Sequence, residues 1–313
     1  MAYQGWHVLD GRDAGCDVEY RGVPSVTAIR RLVVGLCLVG SLAVGLPDVT
    51  ADARSWQIYP LGDSITYGST FMGVATPGGY RGPLHNLLSR GNLAHRFVGS
   101  STSNSNATLT RHNQTHHDGH SGYRVEQVNA DLDGLAGANS DNGGSWLTGI
   151  PGRAPIYPDI VVIHLGTNDI YQRFDPGYTY PTPSGTVDYN DSGQRATFVS
   201  HLTARLRALV DKIFRLRPSA RIVLSNVVPA GVTNPDRVTT AYAGAVQSLA
   251  GSLRAANKRV VFADVWHAFT RTLAGTNVIV PGLLGPDQVH PTPSGYRVIA
   301  QVYREAVARV IKL

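Results

Sequence analysis

Short apolar runs alternate with longer amphipathic stretches along this chain, and the two periods separate cleanly. Five runs, Gln57–Leu61, Arg96–Gly99, Asp159–Leu165, Arg221–Val228 and Val260–Val265, predict strands. Ile160-Val161-Val162-Ile163 and Ile222-Val223-Leu224 are continuous and β-branched-rich, the pattern of strands buried on both faces. Between them, Phe198, Leu202, Leu206, Leu209, Ile213 and Leu216 recur at steps of three or four, giving one helical stripe that Pro218 closes. Tyr242, Val246, Leu249 and Leu253 repeat the pattern, and Tyr296, Ile299, Val302, Val307 and Val310 approximate it at the C-terminus. Alternation of strand and helix predicts an α/β fold, a parallel sheet covered on both faces. Three polar or Gly/Pro-rich loops interrupt it, at about Ser100–Gly122, Ala138–Pro158 and Tyr171–Gly193. In an open α/β sheet such loops matter most beyond the carboxyl ends of the strands, where ligands bind.

The first 53 residues stand outside this pattern. Arg30 and Arg31 precede a 15-residue apolar run, Leu32–Leu46, then Pro47 and Ala51-Asp52-Ala53. A positive region, an apolar region and a small-x-small site predict a secretory signal cleaved after Ala53 and a secreted product. The 29 residues before Arg30 exceed an ordinary leading region, which points to a start placed too far upstream. The expected organisation is a leader over 1–53 and one domain over 54–313. No run of 18 apolar residues predicts a permanent membrane span.

Both cysteines, Cys16 and Cys37, fall in the leader. A disulfide framework, a thiol nucleophile and a cysteine-held metal are therefore excluded for 54–313. The leader holds 4 basic and 6 acidic residues, leaving 24 against 16, a net charge of +8. Its 25 Arg and 3 Lys are scattered over the whole chain, without the basic stripe or module of a nucleic-acid binder.

Three short blocks carry possible chemistry. Leu61-Gly62-Asp63-Ser64-Ile65-Thr66-Tyr67-Gly68 follows the first strand, and a serine there can present its hydroxyl at the sheet edge or cap a helix. The Gly-x-Ser-x-Gly elbow is absent around every serine. Leu165-Gly166-Thr167-Asn168-Asp169 follows the third strand, so Asn168 can donate to an oxyanion or serve a turn. Asp287 and His290, three apart in a loop bounded by Pro286 and Pro291, can orient an imidazole against a carboxylate. All three map to one edge of the predicted sheet.

In these blocks the chain resembles the SGNH (GDSL-type) hydrolases, over nearly all of residues 54–313. The resemblance implies a flavodoxin-like three-layer sandwich with a five-stranded parallel sheet. It implies Ser64 as nucleophile with Asp287 and His290 completing a triad, and Ser64, Gly122 and Asn168 as oxyanion donors, with no metal or organic cofactor. Pro60 to Gly68, Gly78-Gly79-Tyr80-Arg81-Gly82-Pro83-Leu84, Gly119-His120-Ser121-Gly122 and His164 to Ile170 are similar to the family 3 carbohydrate esterases, the acetylxylan esterases within that group. Acetylated polysaccharide or oligosaccharide is the implied substrate, cleaved through an acyl-enzyme on Ser64. Tyr123 stands where that family commonly has Trp, Asp118 where it often has Glu, and the Tyr171–Gly193 loop is longer. Arg81, Tyr123 and Asp63 are the candidate substrate contacts. A broad secreted esterase or lysophospholipase, and a non-catalytic sugar-binding protein, are the alternatives. His112, His116, His117 and His120 raise a metal site as a rival, though they lie in a loop without a shared helical face. Tyr178, Tyr180 and Tyr189 fit either sugar stacking or the pinning of their loop.

Overall fold

The computed structural model describes residues 54–69, 76–134, 144–231 and 236–313. The predicted signal at Arg30–Ala53 lies outside these residues, as does part of the Ala138–Pro158 loop. Strands β1 (Trp56–Gly62), β2 (His95–Phe97), β4 (Ile160–His164), β5 (Arg221–Ser225) and β6 (Val260–Ala263) pair in parallel in the order β2-β1-β4-β5-β6. The two-residue β3 (Asp118–Gly119) pairs with the end of β1 beyond β2. This is the doubly wound arrangement expected, with one extra short strand inside the Ser100–Gly122 loop. The strand order reverses beside β1, so the switch point falls between the ends of β1 and β4.

Pro60 sits inside β1, where a missing N–H would break a ladder. Ile58 accepts from Val98 N (2.9 Å) and Gly62 from His120 N (3.0 Å) on one edge of the strand. By the two-residue alternation Pro60 faces that same edge, in the gap between the pairing of β2 (at Ile58) and of β3 (from Leu61). A proline is tolerated there because no partner strand asks for its proton.

The helices are α1 (Ser64–Tyr67), α2 (Arg81–Arg90), α3 (Ala107–Arg111), α4 (Val125–Asp131), α5 (Thr167–Tyr171), α6 (Ser192–Leu216), α7 (Arg237–Ala255), α8 (Val265–Ala268) and α9 (Pro293–Val310). α4, α6 and α7 cover one sheet face, burying Leu202, Leu206, Leu209 and Tyr242 against Val161, Ile163 and Leu224. α2 and α9 cover the other, with Leu84, Tyr296, Ile299 and Tyr303 against Ile58, Val162 and Val223. α6 begins six residues before the predicted stripe, because the Asp191 carboxylate caps it by accepting from Gln194 N at 2.7 Å. Several elements were not foreseen, α2 and a hairpin among them. α2 carries Gly82 and Pro83 in its first turn, which mask its Leu84–Leu88 periodicity. Strands β7 (Thr270–Leu273) and β8 (Thr276–Ile279) form a hairpin on an Ala274-Gly275 turn, both residues at positive φ, without the usual Asn-Gly signal.

Candidate active site

β1 ends at Gly62, and Asp63 caps α1 by accepting from Ile65 N at 2.9 Å, so Ser64 occupies the first helical position at the carboxyl edge of the sheet. β4 ends at His164, and Gly166 (φ +121°) turns the chain into α5 with Asn168 in its first turn. A Cβ at Gly166 would lie 2.5 Å from the Tyr242 ring, so only glycine fits this corner. Tyr242 in turn donates to Leu165 O at 3.1 Å.

The third piece arrives from a closed loop before α9. Gly285 N donates to His290 O (2.7 Å) and Gln288, at φ +62°, donates to Gly285 O (3.0 Å). Asp287 Oδ1 accepts from the backbone N–H of Val289 (3.2 Å) and His290 (3.0 Å), while Oδ2 accepts from His290 Nδ1 (2.5 Å). Burial alone raises the Asp287 carboxyl, but the hydrogen bonds from His290 and Val289 outweigh it and hold the group below the ordinary carboxylate range. His290 Nε2 lies 2.9 Å from Ser64 Oγ. With Nδ1 donating to the carboxylate, Nε2 is the acceptor for the serine proton.

The loop carrying Gly122 is gripped by α5 at consecutive peptide units. Asn168 Nδ2 donates to Tyr123 O (2.9 Å), Gln172 Nε2 to Gly122 O (3.0 Å), and Val125 N to Asp169 Oδ2 (3.1 Å). Arg124 closes the set on Gln172 Oε1. Gly122 is at φ +81°, which a side chain rarely adopts. Asn168 keeps a second N–H beyond the one given to Tyr123 O. Neither Ser64 N nor Gly122 N makes a hydrogen bond within the described residues. The sequence reading missed Gln172; its signal was the four-residue step from Asn168, which puts both on one face of the same helical turn.

Two expected substrate contacts turn out to serve the interior. Arg81 is completely buried and donates to Thr66 O, Tyr67 O, Asn104 O and Thr115 O at 3.0–3.1 Å. It ties α1 to the 104–115 segment, and burial lowers its pKa to about 10. Asp63 is also fully buried, as the cap of α1, and burial raises its carboxyl to about 6. Tyr123 is part-exposed and stacks on His120 (4.8 Å between centroids), which stacks on the buried Trp146 (5.0 Å). Asp118 is buried and accepts from Tyr59 Oη (2.7 Å) and Ser100 N (2.9 Å).

The histidines of the loop go separate ways, with His116 part-buried. His112 Nδ1 faces His85 Nε2 at 2.5 Å, His117 bridges Ser103 O and Gly119 N, and His120 lies in the aromatic stack. Among the described residues no group of three or more His, Cys, Asp or Glu side chains converges on one point. In the longer loop, Tyr180 donates to Asp175 (2.5 Å) and Tyr189 to Ile170 O (2.7 Å), while the Tyr178 ring packs at a tilt against Tyr180. Two of the three tyrosines thus pin the loop.

Residues 61–298 match the model of the GDSL-like Lipase/Acylhydrolase family. A multidomain esterase of Ruminococcus flavefaciens is 25% identical over 291 residues, 87% of this chain, which spans 31% of that protein's length. Among solved structures, a family 3 carbohydrate esterase of Clostridium thermocellum shares the fold with TM-score 0.55 and 21% identity, covering 83% of this chain and 98% of the other. A family 3 carbohydrate esterase of Talaromyces cellulolyticus gives 0.54 and 18%, covering 82% and 98%. The acetylxylan esterase Axe2 of Geobacillus stearothermophilus gives 0.50 and 20%, covering 82% and 95%. The last three likenesses concern the fold.

Proposed function

We propose, from the premise that this chain belongs to the GDSL-like Lipase/Acylhydrolase family, that it is a serine esterase removing acetyl groups from a plant cell-wall polysaccharide such as acetylxylan. The observation that carries the reading is the continuous relay from Asp287 through His290 to Ser64 Oγ. The structural neighbours, carbohydrate esterases and an acetylxylan esterase, support the substrate.

Ser64 Oγ attacks the acetyl carbonyl as His290 Nε2 takes its proton. Asp287 keeps the imidazole in the tautomer that can accept there, and its charge stabilises the imidazolium. The carbonyl oxygen becomes an oxyanion met by Ser64 N, Gly122 N and the second N–H of Asn168 Nδ2. The sugar oxygen leaves with the proton from His290, and the acetyl group stays on Ser64. Water, activated by the same imidazole, then frees acetate. A secreted site of action is part of the proposal and rests on the Arg30–Ala53 segment; the mature protein from culture medium should begin at Arg54 by N-terminal sequencing.

The test is acetate release from acetylated xylan by the full chain. Release that survives EDTA and vanishes in Ser64→Ala is expected. Inactivity on xylan together with cleavage of long-chain lipid esters would replace the glycan by a lipid substrate.

A further inference from the structure

A crevice of about 500 Å³ opens beside the Gly122 turn. Its walls include Tyr67, Ser101, Thr102, Ser103, Ser121 and Tyr123, and no Asp, Glu, Lys or Arg lines it among the described residues. Two of its wall residues neighbour the reaction site along the chain. Tyr67 ends the single turn of α1 that Ser64 begins, and Ser121 immediately precedes the oxyanion glycine. Ser121 Oγ also pairs with Ser69 Oγ at 2.6 Å, linking the crevice rim to the segment after α1.

Both walls are held from beneath. The completely buried Asp118 accepts from Ser100 N (2.9 Å), Ser100 Oγ and Tyr59 Oη (2.7 Å). Ser101 and His117 exchange two backbone hydrogen bonds (3.0 and 2.9 Å), and Ser101 Oγ meets Ser103 Oγ at 2.8 Å. Opposite, the Tyr123 ring rests on the His120–Trp146 stack. Walls fixed by a buried carboxylate and a buried indole lose little freedom when a ligand enters.

The chemistry of the lining selects the occupant. A serine or threonine hydroxyl offers one donor and two acceptors, so a hydroxyl already paired to its neighbour can still bond a second one. A pyranose presents hydroxyls of the same dual character around its rim and carbon-bound hydrogens on its faces, which suit a tyrosine ring. An acyl chain would meet a lining that is more polar than apolar and would leave its hydroxyls without partners. A charged sugar would find no carboxylate, ammonium or guanidinium to pair with among the described residues.

We propose that this crevice is a subsite for one uncharged pyranose unit of the substrate, next to the unit that bears the acetyl group. The inference rests on the polysaccharide reading above and adds where the glycan lies. Tyr67, Thr102 and Ser103 become specificity-determining residues, and chain length beyond the acetylated unit raises turnover efficiency.

The experiment compares kcat/KM on acetylated xylotetraose with kcat/KM on 4-nitrophenyl acetate, in the wild type, Thr102→Trp, which fills the crevice, and Tyr67→Phe, which removes one hydroxyl. Thr272→Trp on the distant hairpin is the control. The ratio of oligosaccharide to aryl ester activity should fall at least tenfold in Thr102→Trp and about threefold in Tyr67→Phe, and stay put in the control. Ratios within twofold of the wild type in both crevice variants would overturn the subsite while leaving the deacetylase reading intact. A wild type inert on every acetylated saccharide would overturn both. A Thr102→Trp variant that instead loses long-chain ester hydrolysis would assign the crevice to an acyl chain.

Discussion

The molecule contains two Asp-x-x-His pairs of nearly the same local geometry. Asp264 and His267 sit where β6 runs into α8; Oδ1 accepts from His267 N at 3.1 Å and Oδ2 from His267 Nδ1 at 2.8 Å. Asp287 and His290 make the same two bonds at 3.0 and 2.5 Å. The first histidine side chain is 61% exposed and the second 19%. Nothing hydroxyl-bearing is bonded to the outer nitrogen of His267 among the described residues, whereas His290 Nε2 meets a serine 226 positions away in the chain. Spacing of three residues is therefore enough to orient an imidazole. On the proposed mechanism, what separates the base from its counterpart is a serine delivered by another strand, and a half-buried setting that strengthens the charge interactions.

The largest expected difference separates the two histidines directly. Ser64→Ala and His290→Ala should each lower kcat on 4-nitrophenyl acetate by about 10⁴–10⁶-fold, since members of such a unit fail together. His267→Ala should stay within about twofold. Comparable loss in His267→Ala, with unfolding temperature unchanged, would remove the distinction drawn here.

Asn168→Ala tests the other half of the site. Loss of one oxyanion donor should cut kcat by about 10²–10³-fold, some 2.7–4 kcal/mol, with KM nearly unchanged. A rise in KM at constant kcat would mean that Asn168 holds substrate in the ground state.

Gln172→Leu should act more weakly and through position alone. It removes the donor to Gly122 O and the acceptor for Arg124; the bond to the loop carbonyl is worth roughly 1–1.5 kcal/mol, so kcat should fall about tenfold at most. The double variant with Asn168→Ala should lose less than the product of the two single effects, because both hold the same loop. A fully multiplicative loss would show that Gln172 does not work through the oxyanion loop.

The smallest effect is a pH dependence of stability. Burial lifts the Asp169 carboxyl to about 7, opposed by the hydrogen bond from Val125 and the charge of Arg205. A carboxyl raised above its unfolded value of about 3.9 contributes stability at low pH that is lost as pH rises toward 7. Asp169→Asn does not titrate, so its urea midpoint relative to the wild type should climb between pH 5 and 8. A pH-independent difference would mean that the carboxyl is ionised throughout.

Much of this was legible in the residues. The β-branched runs of β4 and β5 and the stripe of α6 depend on local periodicity, which follows from backbone geometry over a few residues, while the Ser64, Asn168 and His290 blocks were legible as short motifs and through a family resemblance. Local rules also explain what was missed. Gly82 and Pro83 obscured α2, and an Ala-Gly turn concealed the β7–β8 hairpin. Arg81 and Asp63 lie close to Ser64 in sequence and read as substrate contacts, yet both point into the protein. Which way a polar side chain faces depends on what packs over it, here the carbonyls of Asn104 and Thr115, brought in by a loop from another part of the chain.

The sequence by itself determined a doubly wound α/β domain, the absence of cysteine chemistry from residues 54–313, and the residue types able to form a serine relay at one sheet edge. Only the tertiary structure decided that Arg81 and Asp63 face the interior, that α5 clamps the Gly122 loop, and that a hydroxyl-lined crevice lies beside it. The physical reason is range. Helix and strand periods are set by neighbours a few residues apart, while pairing, burial and the aim of a donor arise where strands distant in sequence come into register.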